Sequence, residues 1–442
     1  MKYTLSLLLT GIILITVSCS SQEEVANQQE IPAETTHAEI RNNNGNYQLY
    51  VNGEPFWIKG AGLEFGDIAS LAAHGGNSFR TWRTDNGQQS GKEVLDEAWE
   101  HGLYVTMGLE LDRERHGFDY DDEAAVREQF KRIKQEVEAL KDHPALIIWA
   151  IGNELNLNAT NPKVWNAVNE ISEYIHQVDT NHLTTTTLAG ISPELVNNIK
   201  ERAPDLDLLS IQMYGDLPNL PRYIDETGWD GPYMVTEWGA TGHWEVGTTA
   251  WDAPIENNST EKARLYRERY QRAIASEKEG QCVGSYVFLW GQKQERTPTW
   301  YGIFLESGEE TESVEAMHYI WNGQWPDNRA PQVEDFQLDG RKAADDIYLQ
   351  AGTTYPATAE ITDADGDSLK YFWEIKPESK DLGEGGDYEA EPESLDGLIS
   401  EEMNSQEIAF MAPKKEGAYR LFVYASDGQK HVAHANIPFF VK

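Results

Sequence analysis

Cysteine is almost absent from this sequence of 442 residues: only Cys19 and Cys282 occur. A disulfide framework is therefore excluded as the source of stability, and no Cys/His cluster has the spacing of a zinc site. Positive charge is scarce as well. Against 74 Asp and Glu stand 36 Lys and Arg, a formal net charge of −38. Such a surface repels nucleic acid and anionic lipid, and it disfavours a strongly anionic polymer unless basic residues gather locally. A glycine-rich phosphate loop is also missing, since Gly60-Ala61-Gly62 is too little to cradle a phosphate. Nothing in the residue pattern calls for a cofactor or a resident metal.

No apolar run is long enough to span a bilayer comfortably. The run from Leu5 to Val17, preceded by Lys2, has instead the length of a signal-peptide core. It ends in Thr16-Val17-Ser18-Cys19, which resembles a bacterial lipoprotein signal, with residues 1–18 removed and Cys19 lipidated. The polar, acidic stretch that follows has no periodicity, so residues 19–44 are expected to be a flexible tether. The expectation is an exported, outer-membrane lipoprotein at the cell surface, touching the membrane only through Cys19.

From Tyr47 onward apolar runs alternate with amphipathic stretches. Tyr47–Val51, Asn52-Gly53 and Phe56–Lys59 read as strand, tight turn and strand. Short apolar runs then recur at Asn77–Thr84, Leu103–Leu111, Leu146–Ile151, Thr184–Leu188, Leu208–Tyr214, Tyr233–Thr236 and Ser285–Trp290. With Phe56–Gly60 they make eight candidate strands. Helical period fills the gaps: Val126, Phe130, Ile133, Val137 and Leu140 form one stripe that ends at His143-Pro144. Asn161-Pro162 and Ser192-Pro193 place a capping side chain before a first-turn proline. Eight strands alternating with helices over residues 45–325 predict an α/β fold, a closed (β/α)8 TIM barrel. After a linker at 326–331, period-2 segments such as Leu369–Ile375 and Tyr419–Tyr424 predict a C-terminal Ig-like β-sandwich over 332–442. Asp363, Asp365 and Asp367 suit either a plain turn or a calcium loop.

Two candidate strand ends carry glutamate. Trp149-Ala150-Ile151-Gly152-Asn153-Glu154 closes the fourth, and Val235-Thr236-Glu237-Trp238-Gly239 closes the seventh. In a (β/α)8 barrel both would project into the mouth from opposite sides. Such a pair can act on one bond, one carboxyl as acid/base and the other as nucleophile. Glu110 and Asp112 after strand three, and Glu64 after strand one, also face the mouth and suit hydroxyl binding. The 14 tryptophans fit a sugar-binding cleft as well as a core.

These motifs, together with Asn52–Gly60, are similar to the barrel domain of glycoside hydrolase family 2, within the clan of retaining glycosidases. The sandwich domains usual ahead of that barrel are missing from this sequence. A barrel followed by one Ig-like domain is more similar to glycoside hydrolase family 158, which implies endo-β-1,3-glucan hydrolysis. The resemblance implies Glu154 as acid/base, Glu237 as nucleophile and Asn153 on the substrate 2-hydroxyl. It further implies Tyr214 as a hydrogen-bond partner of the nucleophile and Trp290 as an aromatic floor. Arg80, ahead of Arg83, is expected to orient the nucleophile, and Trp244 and Trp300 to stack on neighbouring sugars. The partner expected is a neutral β-glucan. Exo-β-glycosidase or β-mannanase activity shares these motifs, and a non-catalytic surface glycan-binding lipoprotein is the reading of another class.

Overall fold

The computed structural model describes residues 35–399 and 404–442; the expected signal segment and Cys19 lie outside the described residues. Ala38–Asn43, expected within the tether, is instead a strand that pairs with Asn46–Val51, which pairs in turn with Glu54–Phe56. Only Ala38 and Ile40 mark the first strand as apolar, too few to register as alternation. Asn52 and Gly53 take φ of 52° and 81°, the left-handed pair that a tight hairpin turn needs. Ala38, Leu49 and Val51 pack on Ile58, Ile147, Leu208 and Met234, so this small sheet stoppers the N-terminal end of the barrel.

The barrel strands are β1 (Ile58–Gly62), β2 (Ser78–Arg80), β3 (Tyr104–Leu109), β4 (Leu146–Asn153), β5 (Leu183–Ala189), β6 (Leu208–Gln212), β7 (Tyr233–Glu237) and β8 (Cys282–Val287). All pairings are parallel, and β8 returns to β1 to close the ring. One α-helix follows each strand: α1 (Ile68–Ala73), α2 (Gly91–Glu100), α3 (Glu123–Leu140), α4 (Lys163–Val178), α5 (Pro193–Arg202), α6 (Leu220–Thr227), α7 (Ser259–Ala273) and α8 (Glu312–Asn322). The helices start where the side chains cap them. Asp122 accepts from the amides of Ala124 and Ala125 below α3, and Ser192 from that of Leu195 below α5. Ile133, Val137 and Leu140 are the buried stripe of α3. Inside the barrel Tyr286 fills the centre, its hydroxyl bonded to Ser78 at 2.8 Å and Thr106 at 2.7 Å. Gly60 must be glycine there, because a Cβ would stand 2.3 Å from the Tyr286 ring.

Seven further strands follow among the described residues: β9 (Gln332–Leu338), β10 (Tyr348–Leu349), β11 (Thr354–Thr362), β12 (Lys370–Pro377), β13 (Glu407–Met411), β14 (Gly417–Ser426) and β15 (His431–Val441). They form two sheets, β9-β11-β13 and β15-β14-β12, with β10 beside β15. One shared core holds them together, with Trp373, Leu421 and Phe439 of one sheet against Phe336, Ala359 and Phe410 of the other. The short strand Glu310–Thr311, which precedes α8, also pairs with β15. The barrel chain thus completes the C-terminal sheet.

The segment expected as a linker is fastened down. Arg329 donates to Glu315 at 2.7 Å and Ala330 is buried. Nearby, Asn436 of β15 donates to the buried Glu256 at 2.6 Å, and Arg420 of β14 reaches the Pro254 carbonyl at 2.8 Å. In the aspartate run, Asp363 accepts from the amides of Asp365 and Asp367, as in a turn. Asp365 faces away to the Arg329 amide, whereas Asp427 of the next hairpin joins Asp363 and Asp367.

Candidate active site

The C-terminal ends of the barrel strands surround a cavity of about 1520 Å³. β4 ends on Asn153, and Glu154 follows with φ of 50°, a conformation costly for a residue with a Cβ. Gly152 precedes it at φ 73°, and a Cβ there would meet Leu155 at 2.5 Å. That turn lifts Glu154 out of the sheet register and aims it into the cavity. Across the mouth, β7 ends on Glu237. Both carboxylates border the cavity and both are buried.

The two sit in opposite surroundings. Glu237 Oε1 accepts from Trp82 Nε1 at 2.9 Å and Arg80 Nη1 at 3.2 Å, and Oε2 accepts from the Tyr214 hydroxyl at 2.9 Å. Glu237 is thus fixed by three donors, one of them cationic. Glu154 accepts no side-chain hydrogen bond among the described residues. Burial, and then the negative charge of Glu237, push its carboxyl up to about 7.

Asn153 is held by its carbonyl. Oδ1 accepts from Arg80 Nη2 and Gln212 Nε2, each at 2.8 Å, and from Thr187 Oγ1 at 3.0 Å. With that oxygen fully engaged, the amide group is left to face the cavity as a donor. Arg80, fully buried, therefore ties Glu237 to Asn153, while Arg83 pairs with Glu64 at the rim.

Trp244 is 61% exposed, borders the cavity and packs edge-on against Tyr214. Glu110 is exposed at the cavity wall. Two aromatic expectations need correction. Trp290 borders the cavity, but it has no exposed surface and its ring packs on Trp321 and Phe304, which leaves no face open as a floor. Phe288 and Trp82, in edge contact with each other, occupy the aromatic wall instead. Trp300 is 1% exposed and bonded to the Thr241 carbonyl, which leaves it no free face. Both tryptophans lie in the loop after β8, which ends at Val287, three residues short of the end of the candidate strand Ser285–Trp290, and this loop folds back onto the barrel.

Reading the sequence missed Trp82, Gln212 and Thr187. Trp82 stands two residues beyond Arg80, so strand alternation puts both on one side, a signal that was legible. Gln212 and Thr187 carry no motif; only closure of the barrel brings β5 and β6 against Asn153.

A family model described as "Glycosyl hydrolases family 2, TIM barrel domain" matches residues 64–290, half of the chain. The chain belongs to glycosyl hydrolase family 2. Among solved structures it is similar to the β-glucuronidase of Ruminococcus gnavus, at TM-score 0.51 and 15% identity over 66% of this chain and 53% of that one. A β-glucuronidase of Bifidobacterium dentium gives 0.50 at 18% identity over 66% and 50%. That of Bacteroides uniformis gives 0.50 at 12% identity over 92% and 48%. This chain spans about half the length of those proteins, and at these identities the likeness is one of fold. Comparison with curated protein sequences finds no match.

The charge around this family 2 site follows the chain as a whole. Among the described residues, eleven carboxylates and five Lys or Arg side chains border the cavity, so local basic residues do not reverse the overall negative balance. Arg113, after β3, donates Nε to the Asn153 carbonyl at 3.1 Å, and its terminal nitrogens have no hydrogen-bond partner among the described residues. His243, after β7, is held neutral: burial, with Arg296 and Lys293 nearby, brings its pKa down to about 4.

Proposed function

We propose that this chain is a retaining β-glycosidase acting on a neutral glycan. The observation that carries the proposal is the asymmetry of the two glutamates. Glu154, its carboxyl free of side-chain hydrogen bonds and holding its proton up to about 7, is the proton donor to the leaving oxygen. Glu237, held in place by three donors, attacks the anomeric carbon as the glycosidic C–O bond breaks. Glu154 then takes a proton from the water that releases the sugar from Glu237. Asn153 offers its amide to a substrate hydroxyl, Arg80 and Tyr214 orient the nucleophile, and Trp244 and Glu110 contact further sugars.

The stereochemistry of azide rescue tests the two roles. Glu237→Ala with azide should yield a glycosyl azide of inverted configuration. Glu154→Ala should keep activity on activated aryl glycosides and yield the retained azide. Swapped products would reverse the roles, and an inverting wild type would end the proposal.

The finer reading is endo-cleavage of β-1,3-glucan. The linkage rests on the similarity to family 158. Internal cleavage is supported by a cavity of about 1520 Å³, above the roughly 300–1,000 Å³ usual for a small-ligand site. Release of terminal sugars is the second reading, favoured by a loop of the C-terminal domain, Gly383–Tyr388, that reaches the mouth. Early products from laminarin, mixed-linkage glucan, mannan and xylan decide between them: a ladder of oligosaccharides for the first, a single monosaccharide for the second.

We further propose that Cys19 anchors the protein in the outer membrane at the cell surface. The support is the small-residue box after the apolar run. Equal labelling of wild type and Cys19→Ser by a palmitate analogue would end it.

A further inference from the structure

The cavity has a wall that the barrel does not supply. Between β12 and β13 the C-terminal domain sends out residues 378–399, and Gly383 to Tyr388 of this excursion border the same cavity as Glu154 and Glu237. The excursion is docked at both ends. At its base the buried Glu389 accepts from the Arg296 amide at 2.6 Å and from Arg296 Nη1 at 2.7 Å. Arg296 belongs to the loop after β8. At the tip, Asp387 accepts from His116 Nε2 at 3.0 Å and Arg115 Nη2 at 3.4 Å, and Glu384 accepts from Asn158 at 2.7 Å. Those partners follow β3 and β4, which lie opposite β8 in the ring.

The loop therefore crosses the mouth. Residues on either side of that line border one continuous cavity: Glu64 and Phe65 after β1, Gly190 and Tyr214 after β5 and β6. Close approach is built in, because Gly385 takes φ of 55° and a Cβ on it would stand 2.5 Å from Leu157.

Tyr388 stands out on this loop. Its side chain is 84% exposed, it borders the cavity, and it has no ring contact or hydrogen bond among the described residues. An aromatic face left bare beside a catalytic-type cleft, among carboxylates and glycine backbone that can bond hydroxyls, suits the apolar face of a sugar ring. The predominance of carboxylates around it disfavours an anionic ligand.

We propose that the C-terminal domain supplies a sugar-binding subsite to the barrel, in which Tyr388 stacks on a neutral sugar unit beyond the one whose bond is cleaved. This rests on the glycosidase reading above, and the test separates the two. Tyr388→Ala should leave kcat/KM for a 4-nitrophenyl β-glucoside within about twofold. It should raise KM for β-linked glucohexaoses by about two- to tenfold, the worth of one aromatic contact. Tyr388→Phe, which keeps the ring, should behave as wild type. An unchanged KM for hexaoses, or an equal loss on the aryl glycoside, would overturn the subsite.

Calorimetric binding of β-1,3- and β-1,4-linked gluco- and mannohexaoses provides the second arm. If wild type cleaves nothing but binds a hexaose two- to tenfold more tightly than Tyr388→Ala, the catalytic reading falls and the subsite stands. If no hexaose binds, or both proteins bind alike, the subsite falls.

Discussion

Replacing Glu154 by glutamine should stabilise the protein at alkaline pH while removing the proposed proton donor. The sign follows from where the carboxyl titrates. Unfolded, it loses its proton near the ordinary value of 4.5; folded, burial and Glu237 hold the proton to about 7. Below 4.5 both states are protonated and the group adds nothing to the balance. Between the two values the folded state binds more protons, so stability falls as pH rises. Above 7 the folded state carries the whole cost of an ionised carboxyl in that site, about 3 kcal/mol at roughly 1.4 kcal/mol per pH unit. Glutamine has nearly the same shape and no charge, and the wild-type carboxyl gives up no side-chain hydrogen bond in the exchange. Urea unfolding should therefore place Glu154→Gln level with wild type at about pH 4 and about 3 kcal/mol above it at about pH 8.5. The pH–rate profile of wild type should lose activity on the alkaline side near 7, where the donor deprotonates. An equal stability difference at both pH values, or a wild type more stable than the variant in alkali, would refute the reasoning.

Three other perturbations probe the supports of the site. Trp82→Phe keeps the ring and loses the 2.9 Å bond to Glu237; kcat/KM on an aryl glycoside should fall about 10- to 100-fold, as for a hydrogen bond to a charged group. At the contact between barrel and C-terminal domain, burial would raise the Glu256 carboxyl, but Lys262 and the buried hydroxyls hold it down at about 2. Its contribution is present above the ordinary carboxylate value and is lost as pH falls toward 2. Glu256→Ala strands a buried lysine and should cost about 3–5 kcal/mol in urea unfolding near neutral pH, with a smaller difference in acid. Removal of residues 330–442 takes away Asn436 and Arg420 together with the strand beside Glu310–Thr311. The shortened barrel should melt at markedly lower temperature in calorimetry, and unchanged melting would show that this contact adds no stability.

Much of this protein was legible in the chain itself. Eight apolar runs separated by helical stripes specify a (β/α)8 barrel because burial on both faces of a parallel strand leaves a continuous apolar run. The strand ends then locate Glu154 and Glu237, since side chains beyond the C-terminal edge of a barrel strand have nowhere to go but the mouth. What local pattern could not carry was decided by tertiary structure. Whether Trp290 and Trp300 face sugar or core depends on how the loop after β8 folds back, and burial against Trp321 and Thr241 settled it. Asn153 presents its amide rather than its carbonyl because β2, β5 and β6 bring three donors to one oxygen. The raised pKa of Glu154 has the same origin: burial and the charge of Glu237 are properties of the space around it. The loop that carries Tyr388 lies 234 positions after Glu154 in the chain, and only the packing of the C-terminal sheets onto the barrel brings it to the cavity. Periodicity along the chain reports which face of an element is buried, but not which distant element buries it.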